Sequence, residues 1–294
     1  MSFLTVIFVI LGLFTVAFAF FLIKDVAAHK SEPTPKPLWI SGLIGLVTNF
    51  FDTLGIGSFA PTTALFKATK VVDDGIIPGT LNVAHTIPVV LMAFLFIGSV
   101  EVEVVTLAAM LGAATLGAWL GAGFVAKFSR VRIQVVMGFA LLATAILMVM
   151  GMTGVISGLG EGNNAIGLTG GLLIVGIIGN FILGALMTAG VGLYAPCMAL
   201  VYLLGMSPRV AFPIMMGSCA FLMTVAGIRF IKEQKYARKE SLSIAVFGCL
   251  GVVIAVYIVK SLPLDILRYV VVAVVVITAV TMIRAAMKSK SGTA

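Results

Sequence analysis

Long apolar stretches recur along this chain, and they constrain its fold more than any other feature of the sequence. About 20 apolar residues in a helix cross the hydrocarbon core of a bilayer, and inside that core only helices and closed barrels satisfy their own backbone hydrogen bonds. The composition agrees, because 61% of the residues are hydrophobic and only 10% are charged, whereas roughly a quarter of a soluble domain is charged. We predict an all-α polytopic membrane protein with about seven full spans, at residues 1–23, 75–98, 104–126, 132–152, 207–230, 241–260 and 264–286.

Two further apolar segments, residues 38–66 and 170–204, are too long for one span and too short for two. Basic residues of membrane proteins gather on the cytoplasmic side. If both segments enter the membrane and return to the same side, 16 of the 19 Lys and Arg residues share one side, whereas single crossings divide them 11 to 8. The stronger bias predicts two broken re-entrant helix hairpins in the cytoplasmic membrane, with the N-terminus outside and the C-terminus in the cytoplasm.

An internal repeat supports the same plan. A shift of 135 residues places both glycines, the Ala and the Pro of "GIGSFAP", which begins at Gly55, on identical residues of "GVGLYAP", which begins at Gly190. Three full spans follow each hairpin, so the second half starts from the opposite side of the membrane, as in the inverted repeats of secondary transporters. We predict an inverted-repeat helical bundle with an extra N-terminal transmembrane helix and cytoplasmic loop (1–37), a first repeat (38–152), a Gly-rich linker (153–169) and a second repeat with a short tail (170–294).

The Gly-rich turns of both hairpins contain residues that a lipid-facing helix avoids. Backbone that leaves the helix at membrane depth is tolerated only where protein buries it or where it lines a polar cavity. Where a helix restarts, its free N–H groups and the positive end of its dipole suit a small anion; alternatively, the glycines only allow close helix packing. We predict a substrate site formed by Asn49, Thr53, Gly55, Gly57, Ser58, Thr62, Asn82, Asn180, Thr188, Gly190, Gly192, Tyr194 and Ser218.

Asp52 and His85 are ionisable side chains inside apolar segments. Such residues are costly in a membrane and often mark ion pathways. We predict that both couple transport to a gradient of H⁺ or Na⁺. The alternatives are a helix N-cap or a bond with Thr53 for Asp52, and a satisfied interhelical hydrogen bond for His85. Because Ala220 occupies the position of His85 in the second half, a proton role would be asymmetric.

The sequence contains no motif for a cofactor, a metal or a nucleotide. The three cysteines lie in apolar segments without a CxxC spacing or a nearby His, so we interpret them as small core residues. No Walker A sequence is present, which excludes ATP hydrolysis by this chain. The expected partners are a small anionic substrate, a coupling ion and the lipid bilayer, with no nucleic acid; a homo-oligomer stays open.

The two hairpin sequences, "FFDTLGIGSFAPTTAL" and "NFILGALMTAGVGLYAPCMAL", are followed by "GTLN" at Gly79 and "GSC" at Gly217. In these stretches the chain resembles the sulfite exporter TauE/SafE permease family, whose members carry an aromatic-Asp stretch, a Gly-rich turn and an apolar continuation twice per chain. The resemblance extends from about residue 38 onward. It implies movement of sulfite, sulfonates or related small oxyanions across the bacterial cytoplasmic membrane, coupled to an ion gradient.

We therefore predict a secondary transporter that holds a small anion between the hairpin tips and works by alternating access, and we expect no enzyme activity. One alternative is an intramembrane serine hydrolase that uses Ser58 and His85. Against it, Leu193 occupies the position of Ser58 in the second half. Another alternative is an anion channel with the same donors along a continuous pore.

Overall fold

A computed structural model describes residues 3–125, 130–153, 163–188 and 192–290. Within these residues the regular structure is helical, with two 3-10 turns at Asp74–Ile76 and Pro208–Val210. The α-helices are α1 Phe3–Ala28, α2 Leu38–Thr53, α3 Phe59–Thr69, α4 Ile77–Ala84, α5 Thr86–Ile97, α6 Val104–Val125, α7 Arg130–Met152, α8 Gly170–Thr188, α9 Tyr194–Leu203, α10 Ala211–Lys232, α11 Arg238–Ser261 and α12 Leu264–Lys290.

The length and apolar character of the helices confirm the prediction of an all-α polytopic membrane protein. The two predicted hairpin segments are each broken, as expected: α2 ends at Thr53 before α3 begins at Phe59, and α8 ends at Thr188 before α9 begins at Tyr194. The helix α8 is longer than the expected half-helix, since its 18-residue stretch Gly170–Met187 is sufficient to span. Within the described residues, six helices are long and apolar enough to cross a membrane, at Leu4–Ala28, Asp74–Ile97, Gly170–Met187, Pro208–Lys232, Arg238–Val259 and Asp265–Lys288.

The helix boundaries follow the internal repeat. Adding 135 to the bounds of α3 gives 194–204, and α9 spans Tyr194–Leu203. Adding 135 to the bounds of α6 gives 239–260, and α11 spans Arg238–Ser261. The same offset that aligns the two Gly-rich motifs therefore aligns the helices that follow them.

The two halves differ at His85, where α4 stops and α5 begins. Pro88 has no N–H to donate to the carbonyl oxygen of Ala84, and its ring crowds that carbonyl group. Met223 occupies the equivalent position in the second half, and there α10 continues without interruption. The first half thus contains a local break that the second half lacks.

The chain forms two compact units, and each draws helices from both halves of the sequence. Unit 1 comprises Met1–Leu95 and Cys219–Ser261, and unit 2 comprises Phe96–Ser218 and Leu262–Ala294. The division into two sequence repeats remains a prediction about the origin and symmetry of the fold. Most of the predicted linker, residues 154–162, lies outside the described residues.

In unit 1, α2 lies along α11 at a separation that depends on glycine. A Cβ atom on Gly45 would collide with the backbone of Ile244, and one on Gly251 would collide with the carbonyl oxygen of Leu46. Small residues at helix contacts let backbones approach closely in membranes. These glycines therefore set the distance between α2 and α11.

The helix α3 folds back along α2. Phe66 near the end of α3 and Val72 just beyond it share an apolar cluster with Ile44 in the first half of α2. Residues 32–35, which precede α2, and residues 71–73, which follow α3, line the same cleft of about 220 Å³. The first hairpin segment thus begins and ends beside the same cleft.

In unit 2, α9 folds back along α8 in the same way. The side-chain amide of Asn163 donates to the carbonyl oxygen of Tyr202 at 2.9 Å. The N–H of Ser207 donates to the carbonyl oxygen of Ala165, also at 2.9 Å. Residues that precede α8 therefore pair with residues that follow α9.

The contact of α6 with α8 in unit 2 also depends on glycine. A Cβ atom on Gly117 would collide with the carbonyl oxygen of Phe181, and one on Gly184 would collide with that of Ala114. By the 135-residue offset, α6 and α8 correspond to α11 and α2. Each unit is therefore built on the equivalent closely packed helix pair.

The helix α6 begins at a side-chain cap. The carboxylate of Glu103 accepts hydrogen bonds from the N–H groups of Val105 and Thr106 at 2.9 and 2.7 Å, and from the Thr106 hydroxyl at 2.7 Å. These hydrogen bonds hold the pKa of the Glu103 carboxyl below its usual value, and the bond from the Thr106 hydroxyl contributes most. The carboxylate thus satisfies donors that the first turn of a helix leaves open.

A polar network holds the end of α1 to the rest of unit 1. The carboxylate of Asp25 accepts hydrogen bonds from the Tyr236 hydroxyl at 2.6 Å and from Nε of Arg238 at 2.8 Å. Arg238 also pairs with the carboxylate of Glu32 at 2.9 Å. Burial, followed by the hydrogen bond to the Asp25 carboxylate, raises the pKa of Tyr236, so its hydroxyl keeps its proton and remains the donor.

Candidate functional site

The first hairpin is broken at residues 54–58, between α2 and α3. Gly55 and Gly57 have φ angles of 96° and 87°, which residues with a Cβ atom rarely adopt. The N–H of Gly55 donates to the carbonyl oxygen of Asp52 at 2.8 Å and closes the last turn of α2. Glycine is therefore needed at positions 55 and 57 for the chain to turn from α2 into α3.

One glycine at each of the two breaks adjoins open space. Apart from its neighbours in the chain, no described residue has an atom within 4 Å of a Cβ atom placed on Gly57 or on Gly192. Close helix packing therefore explains glycines such as Gly45 and Gly117, but it does not explain Gly57 or Gly192. Crowding by the described residues therefore does not require glycine at position 192.

His85 connects the two helices of the first hairpin. Its Nδ1 lies 3.0 Å from Oδ1 of Asn49 on α2, and its Nε2 lies 3.1 Å from Oγ1 of Thr62 on α3. The side-chain N–H of Asn49 donates to the carbonyl oxygen of Gly45, which leaves Oδ1 as the atom that faces the imidazole. An amide oxygen only accepts, so Nδ1 carries the proton and, in the neutral ring, Nε2 accepts from Thr62. These contacts correspond to the structural alternative for His85.

Asp52 lies in the last turn of α2 and is 2% exposed. The hydroxyl and the backbone N–H of Ser58 lie close to its carboxyl group, while its Oδ2 is buried without a hydrogen-bond partner. Thr53, the next residue, donates to the carbonyl oxygen of Asn49 at 2.8 Å and lies 3.2 Å from the sulfur of Met92. Neither alternative for Asp52, a cap or a bond with Thr53, accounts for the free oxygen.

The Ser–His pair that a serine hydrolase requires is not formed. Ser58 lies beside Asp52, and both ring nitrogens of His85 face other side chains. A nucleophilic serine needs a base within hydrogen-bond reach. The geometry therefore argues against the hydrolase alternative.

A second polar cluster lies in unit 2, beside the second hairpin. The side-chain N–H₂ group of Asn180 donates to the carbonyl oxygen of Met110 at 2.7 Å and to the hydroxyl of Ser218 at 3.1 Å. Among the described residues, Oδ1 of Asn180 is buried without a hydrogen-bond partner. Asn180 and Ser218 are both fully buried, so in each half an asparagine of the first hairpin helix bonds to a polar side chain on the candidate span that follows the hairpin.

Comparison with known families bears on this second cluster. The profile of the sulfite exporter TauE/SafE family matches residues 172–294. We call residues 172–294, which are similar to this family, the TauE/SafE segment. The match confirms, over that part of the chain, the resemblance predicted from the hairpin motifs. No curated protein and no solved structure matches the chain.

The TauE/SafE segment contains the second hairpin break and, from the second cluster, Asn180 and Ser218. The internal repeat relates the first cluster to it. Tyr194, the first residue of α9, is 6% exposed, and Gly192 borders open space. Gly190 and the side chain of Thr188 lie outside the described residues. Of the predicted residues in the TauE/SafE segment, Asn180 and Ser218 bond to each other, whereas Gly192 and Tyr194 lie at the start of α9.

Asn82 does not join either cluster. Its side chain is half-buried and donates to the carbonyl oxygen of Pro78 in its own helix at 2.9 Å. The cluster in unit 1 instead includes Met92 and Gly248, whose missing side chain leaves room for the Asn49 amide. The Gly-x-x-Gly spacing of Gly248 and Gly251 is a sequence signal for this close approach, whereas nothing in the sequence marks Met92.

Replacing His85 tests its role in holding the first hairpin. His85→Ala leaves the buried polar atoms of Asn49 and Thr62 without partners, which costs about 2–3 kcal/mol of unfolding free energy. Asn82→Ala removes only a hydrogen bond within one helix, so we expect a loss below about 1 kcal/mol. Thermal unfolding of the purified variants in detergent measures the difference. Equal unfolding midpoints for the two variants would show that His85 does not hold α2 and α3 together.

Proposed function

We propose that this protein is a secondary transporter of a small oxyanion, in the class of sulfite and sulfonates, and that it works by alternating access. The family match over residues 172–294 supports a membrane transporter of sulfite-type anions. We further propose that it resides in the cytoplasmic membrane with its C-terminus in the cytoplasm, and that its hairpins are re-entrant. The positive-inside bias supports this orientation, and the meeting of the two ends of each hairpin supports re-entrance.

The observation that carries the proposal is the pair of helix breaks at equivalent positions of an internal repeat. Each break is followed by a short helix, α3 or α9, whose first N–H groups have no partner inside the helix. The positive end of such a helix favours an anion, and broken helices at membrane depth are typical of substrate sites in secondary transporters. The open space beside Gly57 and Gly192 gives a ligand access to the backbone there.

Exchange assays in proteoliposomes test the proposal. We expect radiolabelled sulfite or a small sulfonate to exchange in a saturable manner, and a carboxylate of similar size to exchange much more slowly. Flux that rises linearly with concentration would instead indicate the channel alternative. If none of these anions moves, and none raises the unfolding temperature of the purified protein, the proposed function is wrong.

A glycine pair on the second hairpin locates the binding site in the same assay. Gly192→Ala puts a methyl group into the open space before α9, so we expect the exchange rate to fall several-fold with an unchanged unfolding temperature. Gly171→Ala, at the start of α8, is the matched control, because its Cβ atom also meets no other atom. Equal exchange rates for the two variants would remove the break before α9 from the substrate site.

A further inference from the structure

Asp52 is placed where a carboxylate is least stable. It is 2% exposed, its Oδ2 has no hydrogen-bond partner, and no ion pair among the described residues includes it. It also occupies the last turn of α2, where the helix dipole is negative and disfavours a further negative charge. Burial, the unpaired oxygen and the helix dipole all disfavour the ionised form of the Asp52 carboxyl group.

One positive charge at Oδ2 would offset all three effects. A buried ionised group normally has a partner of opposite charge or a bound cation. Among the described residues, the nearby donors come from Ser58, which is neutral. No side chain in the described part of the chain supplies that positive charge.

The equivalent place in the second hairpin has no such group. Met187 lies 135 residues after Asp52, and residues 170–204 contain no Asp or Glu. In transporters with broken helices, the C-terminal ends of half-helices bind the coupling cation and the N-terminal ends face the anionic substrate. The first break has a carboxylate, that of Asp52, at the C-terminal end of the helix before it, and the second break has none.

We propose that the carboxylate of Asp52 binds the single small cation, H⁺ or Na⁺, that is carried together with the anion. The proposal rests on the proposed function and assigns its coupling site to the first hairpin. The anion is then held without help from Asp52, so anion exchange and gradient-driven accumulation become separable. His85, whose two ring nitrogens are bound by Asn49 and Thr62, positions the hairpin and does not carry the ion.

Few other titratable groups adjoin this part of unit 1. They are His85 between α4 and α5, Lys67 at the far end of α3, and, on α11, Cys249, Tyr257 and Lys260 with Arg238, Lys239 and Glu240. The side chain of Lys260 lies outside the described residues. In the described part of the chain, none of these groups forms an ion pair or hydrogen bond with Asp52. If cation-driven accumulation is lost in Asp52→Asn, the loss can therefore be assigned to the carboxylate of Asp52.

The test compares Asp52→Asn with the wild type and with Asp74→Asn, which changes an exposed acid. Full-length proteins in proteoliposomes are assayed for sulfite and sulfonate exchange without a gradient, and for accumulation driven by an imposed pH or Na⁺ gradient. We expect Asp52→Asn to keep exchange within about threefold of the wild type and to lose at least tenfold in accumulation, and Asp74→Asn to keep both. The gradient that drives the wild type distinguishes H⁺ from Na⁺.

The proposal fails if Asp52→Asn accumulates the anion as well as the wild type does. If the wild type exchanges no anion at all, it is the proposed function that fails. A second measurement on the wild type covers the case in which Asp52→Asn does not fold. Its unfolding temperature in detergent should shift either with Na⁺ replacing choline at constant ionic strength or with pH between about 5 and 8, and the absence of both shifts would overturn the cation site.

Discussion

Gly117→Ala is expected to lower the unfolding free energy by roughly 3 kcal/mol or more, because its methyl group has no space between α6 and α8. The Cβ atom would collide with the carbonyl oxygen of Phe181, a backbone atom that cannot rotate away as a side chain can. The two helices would have to separate, and the contact of Gly184 with the carbonyl oxygen of Ala114 would be lost with them. Thermal unfolding of the purified protein in detergent measures the loss.

Gly112→Ala is the matched control, because it makes the same substitution in the same helix. A Cβ atom at Gly112 would have no atom within 4 Å, and alanine is a better helix former than glycine by up to about 1 kcal/mol. We expect its unfolding temperature to equal or slightly exceed that of the wild type. If Gly117→Ala unfolds at the same temperature as Gly112→Ala, the α6–α8 separation is not set by glycine.

Arg238→Ala should cost about 3–5 kcal/mol, because it removes one partner of a largely buried ion pair. The side chains of Arg238 and Asp25 are 13% and 10% exposed. Without the guanidinium group, the carboxylate of Asp25 keeps the Tyr236 hydroxyl and the Gln234 amide as donors and Nδ1 of His29 at 3.5 Å, and Glu32 loses its ion pair. We expect the end of α1 to detach from the α10–α11 loop and become accessible to protease at residues 29–37.

Arg229→Ala is the control, because Arg229 lies in the last turn of α10, on the other side of the α10–α11 loop from Arg238. Arg229 pairs with Glu233 at 2.8 Å, but its side chain is 80% exposed, and exposed pairs contribute roughly 0–1 kcal/mol. Both variants remove one arginine beside the α10–α11 loop, so a general effect of charge on topology would appear in both. Equal unfolding temperatures and equal cleavage of the two variants would contradict the role given to the Arg238 network.

The sequence carried the local features of the hairpins. Gly55, Gly57 and Pro61 disrupt a helix through backbone geometry alone, so the end of α2 and the start of α3 followed from the residues themselves. The 135-residue offset found in two short motifs also proved to relate the bounds of α6 and α11. Pro88 is a sequence signal for the break at His85. The break itself depends on the carbonyl group of Ala84, one turn earlier, which the proline ring crowds.

The sequence did not reveal the hydrogen-bond partners of the polar residues. Asn49, Asp52 and His85 stood out because polar groups are rare in apolar segments, yet their roles separated only when their surroundings were known. His85 has a hydrogen bond on each ring nitrogen, whereas Asp52 has an oxygen without one. Asn82, selected by the same reasoning, bonds only within its own helix.

The sequence by itself determined the helical class, the two broken segments and the repeat, because apolar length and the backbone limits of glycine and proline act over a few residues. Only the tertiary structure decided that α2 packs on α11 and α6 on α8, that Arg238 holds the end of α1, and that each compact unit mixes the two halves. These contacts join residues far apart in the chain, and they depend on which helices become neighbours, for which an almost uniformly apolar sequence offers many arrangements.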